Sequence, residues 1–395
     1  MGKPLDGVRV VDLSQVTSGP LATMVLAEQG AEVIKVEPPG IGDMVRQLAL
    51  QRGGLSSWFL NHNRGKRSIA VDTETEEGRD IVAELMAGAD VVVQNFRPGV
   101  VERLGLDYAT IRTRNPALIY VSISGYGPTG PYADRPVFDP VIQALIGMVA
   151  LQQSEAIPLP DLVRNIVVDK ATALMVAQGI CAALFHRVRT GEGNHLEIPM
   201  LDTGLYFLWP DGMMHRTFLG DDVPDGITIA QRYQITYCAD GQLVYWVATD
   251  AQRHALYRVL GHEELCGDER YVLPRVTENE NWEALAAILV EAFARQKTAE
   301  ILPALHAASI PASPINEPED VFVDPQVVHN QALVTWDHPH AGRVRQPRHP
   351  IRFSTAPTPI PEAADLLGQH TDDVLNDIGY TPEKIRALRD AGIVA

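Results

Sequence analysis

Residues 8–37 alternate between the patterns of strand, helix and strand, and no other feature of the chain constrains its fold as strongly. The apolar run at 8–13 has few polar interruptions, which is typical of a parallel strand covered on both faces. A helical period follows, with Pro20 in its first turn and Gly30 just after its last, and residues 31–36 form a second apolar run. This pattern predicts the opening βαβ unit of a ligand-binding α/β domain.

The turn between the first strand and the helix contains a single glycine, Gly19. A dinucleotide-binding turn has the pattern G-x-G-x-x-G, in which the glycines let the backbone approach a pyrophosphate. The sequence therefore disfavours a nicotinamide or flavin cofactor.

The βαβ rhythm continues through about the first half of the chain and predicts a large α/β domain at 1–200, with a Rossmann-like open parallel sheet. Helices are predicted at 78–87, 108–114 and 167–187, and strands at 90–94, 118–124 and 194–199. The composition then shifts, and we predict a linker at 201–225 and a second, smaller α/β domain at 226–325. The proline-rich segment 326–395 is predicted to return to the large domain.

Composition narrows the class of protein. The chain has 395 residues, 46% of them hydrophobic, and a net charge of −17, which disfavours non-specific binding to nucleic acid or to membrane surfaces. Its three cysteines lack metal-ligand spacing and are too few for a disulfide framework, as is typical of a reducing compartment. The start has no apolar signal region, and Gln178 interrupts the apolar stretch at 171–185. We therefore predict a cytoplasmic protein without a metal site or a membrane span.

A loop at the carboxyl end of the first strand provides the first candidate site residues, because ligands of open α/β sheets bind at such ends. The loop consists of Gln15, Val16, Thr17 and Ser18. A plain turn that caps the following helix explains these residues equally well.

A second candidate is a cluster of positive charges in this otherwise acidic chain. Arg64, Lys66 and Arg67 lie within four residues, and the segment leads into an apolar stretch. A run of charges usually forms a solvated surface. Because further basic residues precede this cluster, a pocket for an anionic phosphate ligand is the favoured interpretation.

The third candidate segment directly follows the strand predicted at 90–94. It contains an amide, an aromatic ring and two guanidinium groups, which belong to Asn95, Phe96, Arg97 and Arg103. Side chains of these kinds beside a strand end can hold a nucleotide base and its phosphates.

The fourth candidate is Asp169, which stands where an apolar run gives way to a helix of small residues. The local sequence favours a role as the helix N-cap. The alternative role is catalytic, because a partly buried carboxylate near the positive end of a helix stays ionised and can act as a nucleophile.

Together these segments resemble the class III CoA-transferase family, which includes formyl-CoA:oxalate and carnitine CoA-transferases. The resemblance covers most of the chain, is strongest in 4–200, and rests on successive motifs such as PLDGVRVVDLS, NRGKRSIAVD, NFRPGVVERLGLDY, ISGYGPTGPYADRPVFD and VVDKATALMVAQGICAALFHRVRTGEG. It implies that the ligand is coenzyme A, as a substrate and not as a tightly bound cofactor. The residues implied to contact its phosphates and adenine are Val16, Lys66, Asn95, Phe96 and Arg103.

The resemblance also implies a mechanism and an assembly. Asp169 falls on the family's catalytic aspartate, which takes the acyl group from acyl-CoA as an anhydride, becomes a CoA thioester, and passes CoA to a second carboxylic acid. Asp139 is a candidate to support it. The implied large domain combines N- and C-terminal segments around a small domain, and two ring-like subunits interlock as a homodimer.

Two other functions remain open from the sequence. A related branch of the family racemises acyl-CoAs with a histidine in a G-H-D segment, but this chain has Val137, Phe138 and Asp139 there, and phenylalanine cannot carry a proton. We therefore favour a transferase over a racemase, with a non-catalytic acyl-CoA-binding protein third. Thr17 and Ser18 replace the glutamine and alanine that other members often have.

Overall fold

The computed structural model describes residues 2–153, 159–223, 232–355 and 362–395. The chain divides into two compact units, one formed by Met1–Thr228 with His329–Ala395 and the other by Ile229–Val328.

A six-stranded parallel sheet organises the first unit. The strands of this unit up to residue 199 are β1 Arg9–Asp12, β2 Glu32–Glu37, β3 Gln51–Arg52, β4 Leu55–Ser56, β5 Lys66–Ala70, β6 Val91–Gln94, β7 Ile119–Ser124 and β8 Asn194–Pro199. The sheet has the order β5-β2-β1-β6-β7-β8, and all its neighbours are parallel. β3 and β4 form a separate antiparallel pair. The parallel α/β sheet that the sequence predicts is thus confirmed.

Helices cover both faces of this sheet, and further helices lie in the second unit. They are α1 Ser18–Glu28, α2 Ser57–Asn63, α3 Glu76–Ala87, α4 Val100–Leu104, α5 Tyr108–Ile111, α6 Asp139–Leu145, α7 Met148–Leu151, α8 Val167–Thr190, α9 Met200–Gly212, α10 Asp250–Val259, α11 Asn279–Ala294, α12 Thr298–Ala307, α13 Pro325–His329, α14 Thr371–Asp377 and α15 Pro382–Asp390.

Each face of the sheet has its own core, because successive strand residues point to opposite faces. One core joins Val10 of β1 to Leu26 of α1 and Ile180 of α8. The other joins Val11 of β1 to α3, α14 and α15, and includes Leu375. The C-terminal segment therefore contributes to the core of the first unit.

α8 is the one helix in the described ranges that is long and apolar enough to span a membrane. Half of its apolar stretch is buried inside the chain, where Val176 and Ile180 belong to the core. It ends at Thr190, and the next residue, Gly191, has a φ of +77°, which suits a residue without a side chain. These contacts are those of a central core helix.

The second unit packs a small antiparallel sheet against helices α10 to α12. Its strands are β9 Thr236–Tyr237, β10 Gln242–Tyr245 and β11 Ala312–Pro314, in the order β11-β10-β9. Leu243, Tyr257 and Phe293 are fully buried in its core. A further hairpin, β12 Leu333–His338 and β13 Gly342–Pro347, follows in the first unit.

Candidate functional site

The strand order changes direction between β1 and β6, and a crevice at the carboxyl ends of such strands is where open α/β sheets bind ligands. Gln15 follows β1 and Asn95 follows β6. The Gln15 N–H donates to Asn95 Oδ1 at 2.8 Å, and Asn95 Nδ2 donates to the Gln15 carbonyl at 2.8 Å. Two candidate segments of the sequence therefore meet at this crevice.

Val16, at the tip of the first loop, has a φ of +70°, which is strained for a β-branched residue. Its N–H donates to the Asp43 carboxylate at 3.1 Å. Asp43 pairs with the buried Lys35 at 3.1 Å, and Lys35 also donates to the Ser14 carbonyl at 2.8 Å. This buried ion pair holds the loop in its strained shape.

A cleft of about 240 Å³ opens beside the two loops. Its described lining combines residues at or after the ends of β1, β6 and β7 with the segment before α6 and the starts of α8 and α9: Gln15, Val16, Ser18, Asn95, Phe96, Arg97, Pro98, Ile123, Ser124, Gly125, Ala133, Arg135, Pro136, Val137, Phe138, Asp169 and Met200. Nowhere in the described ranges is a group of three or more histidine, cysteine or acidic residues arranged to hold a metal ion.

Asp169 lies in the wall of this cleft and is 8% exposed. Ser18 Oγ donates to its Oδ1 at 2.8 Å. α8 begins at Val167 with Ile166 as its N-cap, so the expectation that Asp169 is the N-cap is wrong. Its carboxylate does not cap the helix, and Asp169 lines the cleft instead.

Asp139 performs the capping of α8. Its Oδ2 accepts from the backbone N–H of Val168 at 2.7 Å and of Asp169 at 3.0 Å. Gln143 Nε2 donates to Asp139 Oδ1 at 2.5 Å, and Asp139 is 1% exposed. Asp139 therefore fixes the backbone of Asp169 and does not itself line the cleft.

Burial raises the pKa of Asp169 to about 6. The negative charge of Asp139 acts in the same direction, and the hydrogen bond from Ser18 opposes both. A carboxylate with this pKa is ionised at neutral pH and more basic than an ordinary aspartate, as a nucleophile requires.

Arginines supply positive charge in and near the cleft. Arg97 and Arg135 line it and are exposed, whereas Arg103 is exposed but not part of the lining. None of the three makes an ion pair with a residue that the structure describes. The Arg135 guanidinium instead lies 3.7 Å from the centre of the Tyr132 ring. Arg97 and Arg135 therefore remain available to an anionic ligand.

The structure corrects the prediction of a phosphate pocket around Lys66. Lys66 is 4% exposed, and its Nζ donates to Asp12 at 2.9 Å, to the Pro20 carbonyl at 2.8 Å and to Asn63 at 2.8 Å. Its ammonium group is thus fully occupied inside the fold, away from the cleft.

The other cations of that cluster are also paired. Arg64 pairs with Glu28 at 2.7 Å, and Arg67 pairs with Glu32 at 2.7 Å and with Asp377 at 3.0 Å. The cluster is therefore a set of structural ion pairs.

Thr17 is likewise turned away from the cleft. It is 1% exposed, and Trp58 Nε1 donates to its hydroxyl at 3.3 Å. Of the four residues in the first loop, Gln15, Val16 and Ser18 line the cleft.

Sequence reasoning missed Arg135 and Asp43. Arg135 stands in the motif ISGYGPTGPYADRPVFD, where a charge among prolines and glycines before Asp139 was the available signal. Asp43 offers no signal, because its partners Lys35 and Val16 become neighbours only through the fold.

Comparison with known proteins gives one consistent result. The sequence profile of CoA-transferase family III matches residues 5–371. The succinyl-CoA:glutarate CoA-transferase of Homo sapiens is 34% identical, over 99% of this chain and 90% of its own length. The formyl-CoA:oxalate CoA-transferase of Streptomyces avermitilis is 32% identical over the whole of both chains. The crystal structure of a CAIB/BAIF family protein from Brucella suis, 34% identical, superposes with a TM-score of 0.80 over 96% of this chain and 100% of the other.

Proposed function

The chain belongs to CoA-transferase family III, and we propose that it moves coenzyme A from an acyl-CoA thioester to a carboxylic acid through covalent intermediates on Asp169. One observation carries this proposal. Asp169 is the one carboxylate among the described residues that line the cleft, and it is oriented by Ser18 through its side chain and by Asp139 through its backbone.

The first half of the reaction loads CoA onto the enzyme. The ionised Asp169 attacks the thioester carbonyl, the C–S bond breaks, and an aspartyl-acyl anhydride and CoA thiolate form. The thiolate then attacks the aspartyl carbonyl. This step forms an aspartyl-CoA thioester and releases the first acid, which carries away one oxygen of Asp169.

The second half unloads CoA onto the acceptor. The second carboxylate attacks the aspartyl-CoA thioester, and a new anhydride and CoA thiolate form. The thiolate attacks the acyl carbonyl of the acceptor, which releases the new acyl-CoA and restores the Asp169 carboxylate. No proton is gained or lost over the cycle, so the site needs no separate acid or base.

The cleft is suited to a nucleotide thioester. We propose that the loop residues Gln15, Val16 and Ser18 approach the pantetheine and thioester, and that Asn95 and Phe96 contact the adenine end. The arginines proposed to meet phosphate oxygens are Arg97, Arg103 and Arg135. Their exposure and their lack of ion-pair partners in the described part of the chain support this role.

A racemase is less well supported. Phe138 lines the cleft at the position where the G-H-D segment of racemases has histidine, and no described residue of the lining is a histidine. Phenylalanine cannot exchange a proton with the α-carbon of an acyl-CoA.

We propose further that the enzyme works in the cytoplasm as an interlocked homodimer, with the two units as its large and small domains. The three cysteines are free thiols, as a reducing compartment requires. Light scattering of the purified protein tests the assembly: the mass of a dimer is expected, and the mass of a single 43.3 kDa chain would contradict it.

Oxygen labelling tests the mechanism directly. Trypsin should release residues 165–170 as one peptide, because Arg164 precedes it and Lys170 ends it. After turnover with an acyl-CoA and an acceptor acid labelled with 18O in its carboxylate, this peptide should gain 18O. The panel of acids should include succinate, glutarate, oxalate and bulkier monocarboxylates, since relatives named for the first three are similar to this chain.

The Asp169→Asn variant is the control, and we expect it to show neither label nor transfer. Transfer without label in the peptide would exclude the aspartyl mechanism. Deuterium uptake at the α-carbon of acyl-CoA from heavy water, without transfer, would identify a racemase.

A further inference from the structure

The second unit contains a cavity of its own, of about 270 Å³. Every described residue that lines it lies in 232–289, so the cavity belongs to the unit that does not carry Asp169. Its floor is part of a packed core, since Leu256, Tyr257 and Leu285 are at most 3% exposed. A cavity with such a floor keeps its shape without a ligand.

Aromatic rings form much of its wall. Tyr233 and Trp246 make a T-shaped contact with their ring centroids 5.0 Å apart. Trp282 and Tyr245 also line the cavity. Flat apolar ring faces favour a ligand whose body is itself flat and apolar.

Arg232 gives this apolar cavity a positive charge. Its guanidinium lies 5.0 Å from the centre of the Trp282 ring, and its Nη2 donates to the Thr277 carbonyl at 2.6 Å. It makes no ion pair with any residue in the described part of the chain. The other cation of the wall, Arg253, is paired with Asp250 at 3.1 Å. Arg232 is half-buried and has no acidic partner among the described residues, so its guanidinium is available to pair with a bound anion.

Two further residues of the lining, Tyr245 and Trp246, carry hydrogen-bond donors. The hydroxyl of Tyr245 and the indole N–H of Trp246 make no hydrogen bond to a described residue. Burial and the charge of Arg253 also lower the pKa of Arg232.

We propose that this cavity is a binding site for a small organic acid with a flat apolar body, of the class of aromatic monocarboxylates. The carboxylate pairs with Arg232 and accepts a hydrogen bond from Tyr245, and the ring lies against Trp246 and Trp282. The site does not depend on the function proposed above, because neither Asp169 nor the cleft around it takes part.

Calorimetric titration of the full chain, without CoA, tests the site. Phenylacetate is the probe, and phenylacetamide, which has the same shape without the charge, is its matched control. We expect phenylacetate to bind at least about tenfold more tightly than the amide, because a charge-assisted hydrogen bond is lost with the amide. Equal affinities, or no binding of phenylacetate, would overturn the proposal.

Two variants locate the binding. Arg232→Gln should lower the affinity for phenylacetate to the affinity for the amide. Arg232→Lys keeps the charge and should lose less of this affinity. Arg258→Gln is the matched control, because Arg258 is exposed in the same unit and pairs with Glu263 at 3.6 Å. We expect it to bind phenylacetate as the unchanged chain does.

Binding must also be independent of the catalytic aspartate. The Asp169→Asn chain should bind phenylacetate with unchanged affinity whether or not the chain is a transferase. Loss of binding in that variant would assign the acid to the cleft and overturn the proposal, as would unchanged binding in Arg232→Gln.

Discussion

At the scale of single residues, the hydroxyl of Ser18 is the group that most directly tunes Asp169. It donates to Asp169 Oδ1 at 2.8 Å in a place where only 4% of Ser18 is exposed. This bond stabilises the ionised carboxylate against burial and against the charge of Asp139. It also engages one of the two oxygens, and in the proposed mechanism the other oxygen attacks the thioester.

Ser18→Ala should therefore raise the pKa of Asp169 above its value of about 6. Only the carboxylate is a nucleophile, so the acid limb of the pH profile of kcat/KM should move upward by about one pH unit. Activity near pH 8 should change much less than activity near pH 6. Thr17→Val is the control, since it removes a neighbouring hydroxyl that bonds to Trp58 instead of Asp169. An acid limb that stays in place in Ser18→Ala would remove Ser18 from the mechanism.

Val16 leads to a second prediction at this scale. Because its φ of +70° strains a β-branched residue, Val16→Gly should relieve strain while it removes a partly buried side chain. We expect the free energy of unfolding to change by less than about 1 kcal/mol. Val10→Gly deletes the same side chain from a fully buried position of β1 and should cost about 3 kcal/mol or more. Urea denaturation compares the two, and equal losses would show that Val16 is not strained.

At the scale of secondary-structure elements, local sequence patterns were informative. β8 has the bounds 194–199 that its pattern predicts, and α8 begins at residue 167 as expected and continues three residues beyond the predicted end. Apolar runs, glycines and prolines act within a few residues, so they reveal such elements. The contact between Gln15 and Asn95 could also be predicted from the sequence, because both residues follow strands whose carboxyl ends lie on one edge of a sheet.

The partners of buried charges could not be predicted in this way. Lys66 on β5 reaches Asp12 on β1 across the intervening β2, and the two residues are 54 positions apart. Ser18 and Asp169 are 151 positions apart. Only the strand order and the packing of helices bring such pairs together, and a local sequence pattern predicts neither of them.

The pair of Asp12 and Lys66 connects these elements, and we expect it to act on stability. Burial alone would raise the pKa of Asp12, but the charges of Lys66 and Lys35 outweigh it and hold that pKa well below its usual range. Lys66→Met should therefore lower the free energy of unfolding by about 3–5 kcal/mol, because it leaves a buried carboxylate unpaired. Adding Asp12→Asn should recover part of the loss, which a double-mutant cycle measures.

Arg103→Gln is the matched control for that cycle. Arg103 is exposed and makes no ion pair with a described residue, so we expect unchanged stability and a higher KM for acyl-CoA. Weaker binding of CoA with unchanged stability in Lys66→Met would instead restore Lys66 to the phosphate site.

At the scale of the whole molecule, the buried carboxylate of Asp169 makes the folded state less stable at neutral pH than it would otherwise be. The pKa of Asp169 is about 6 in the folded chain against an ordinary value of 3.8, so the folded state holds this proton more tightly than the unfolded chain does. The contribution of protonated Asp169 to the free energy of unfolding is thus fully present below pH 3.8 and is lost as the pH rises through 6.

Asp169→Asn removes this loss, because an amide has no charge to bury. The free energy of unfolding of the variant minus that of the unchanged chain should therefore increase between pH 4 and pH 7, by about 2–3 kcal/mol. Asp12→Asn should show almost no such change between pH 4 and pH 7, since the lowered pKa of Asp12 adds stability that is lost only as the pH falls below its ordinary value of 3.8. Urea denaturation at both pH values measures each difference. If the difference in the free energy of unfolding between Asp169→Asn and the unchanged chain is the same at pH 4 and at pH 7, the Asp169 carboxylate is solvated in the folded chain. The cleft would then give Asp169 no advantage as a nucleophile over an ordinary aspartate.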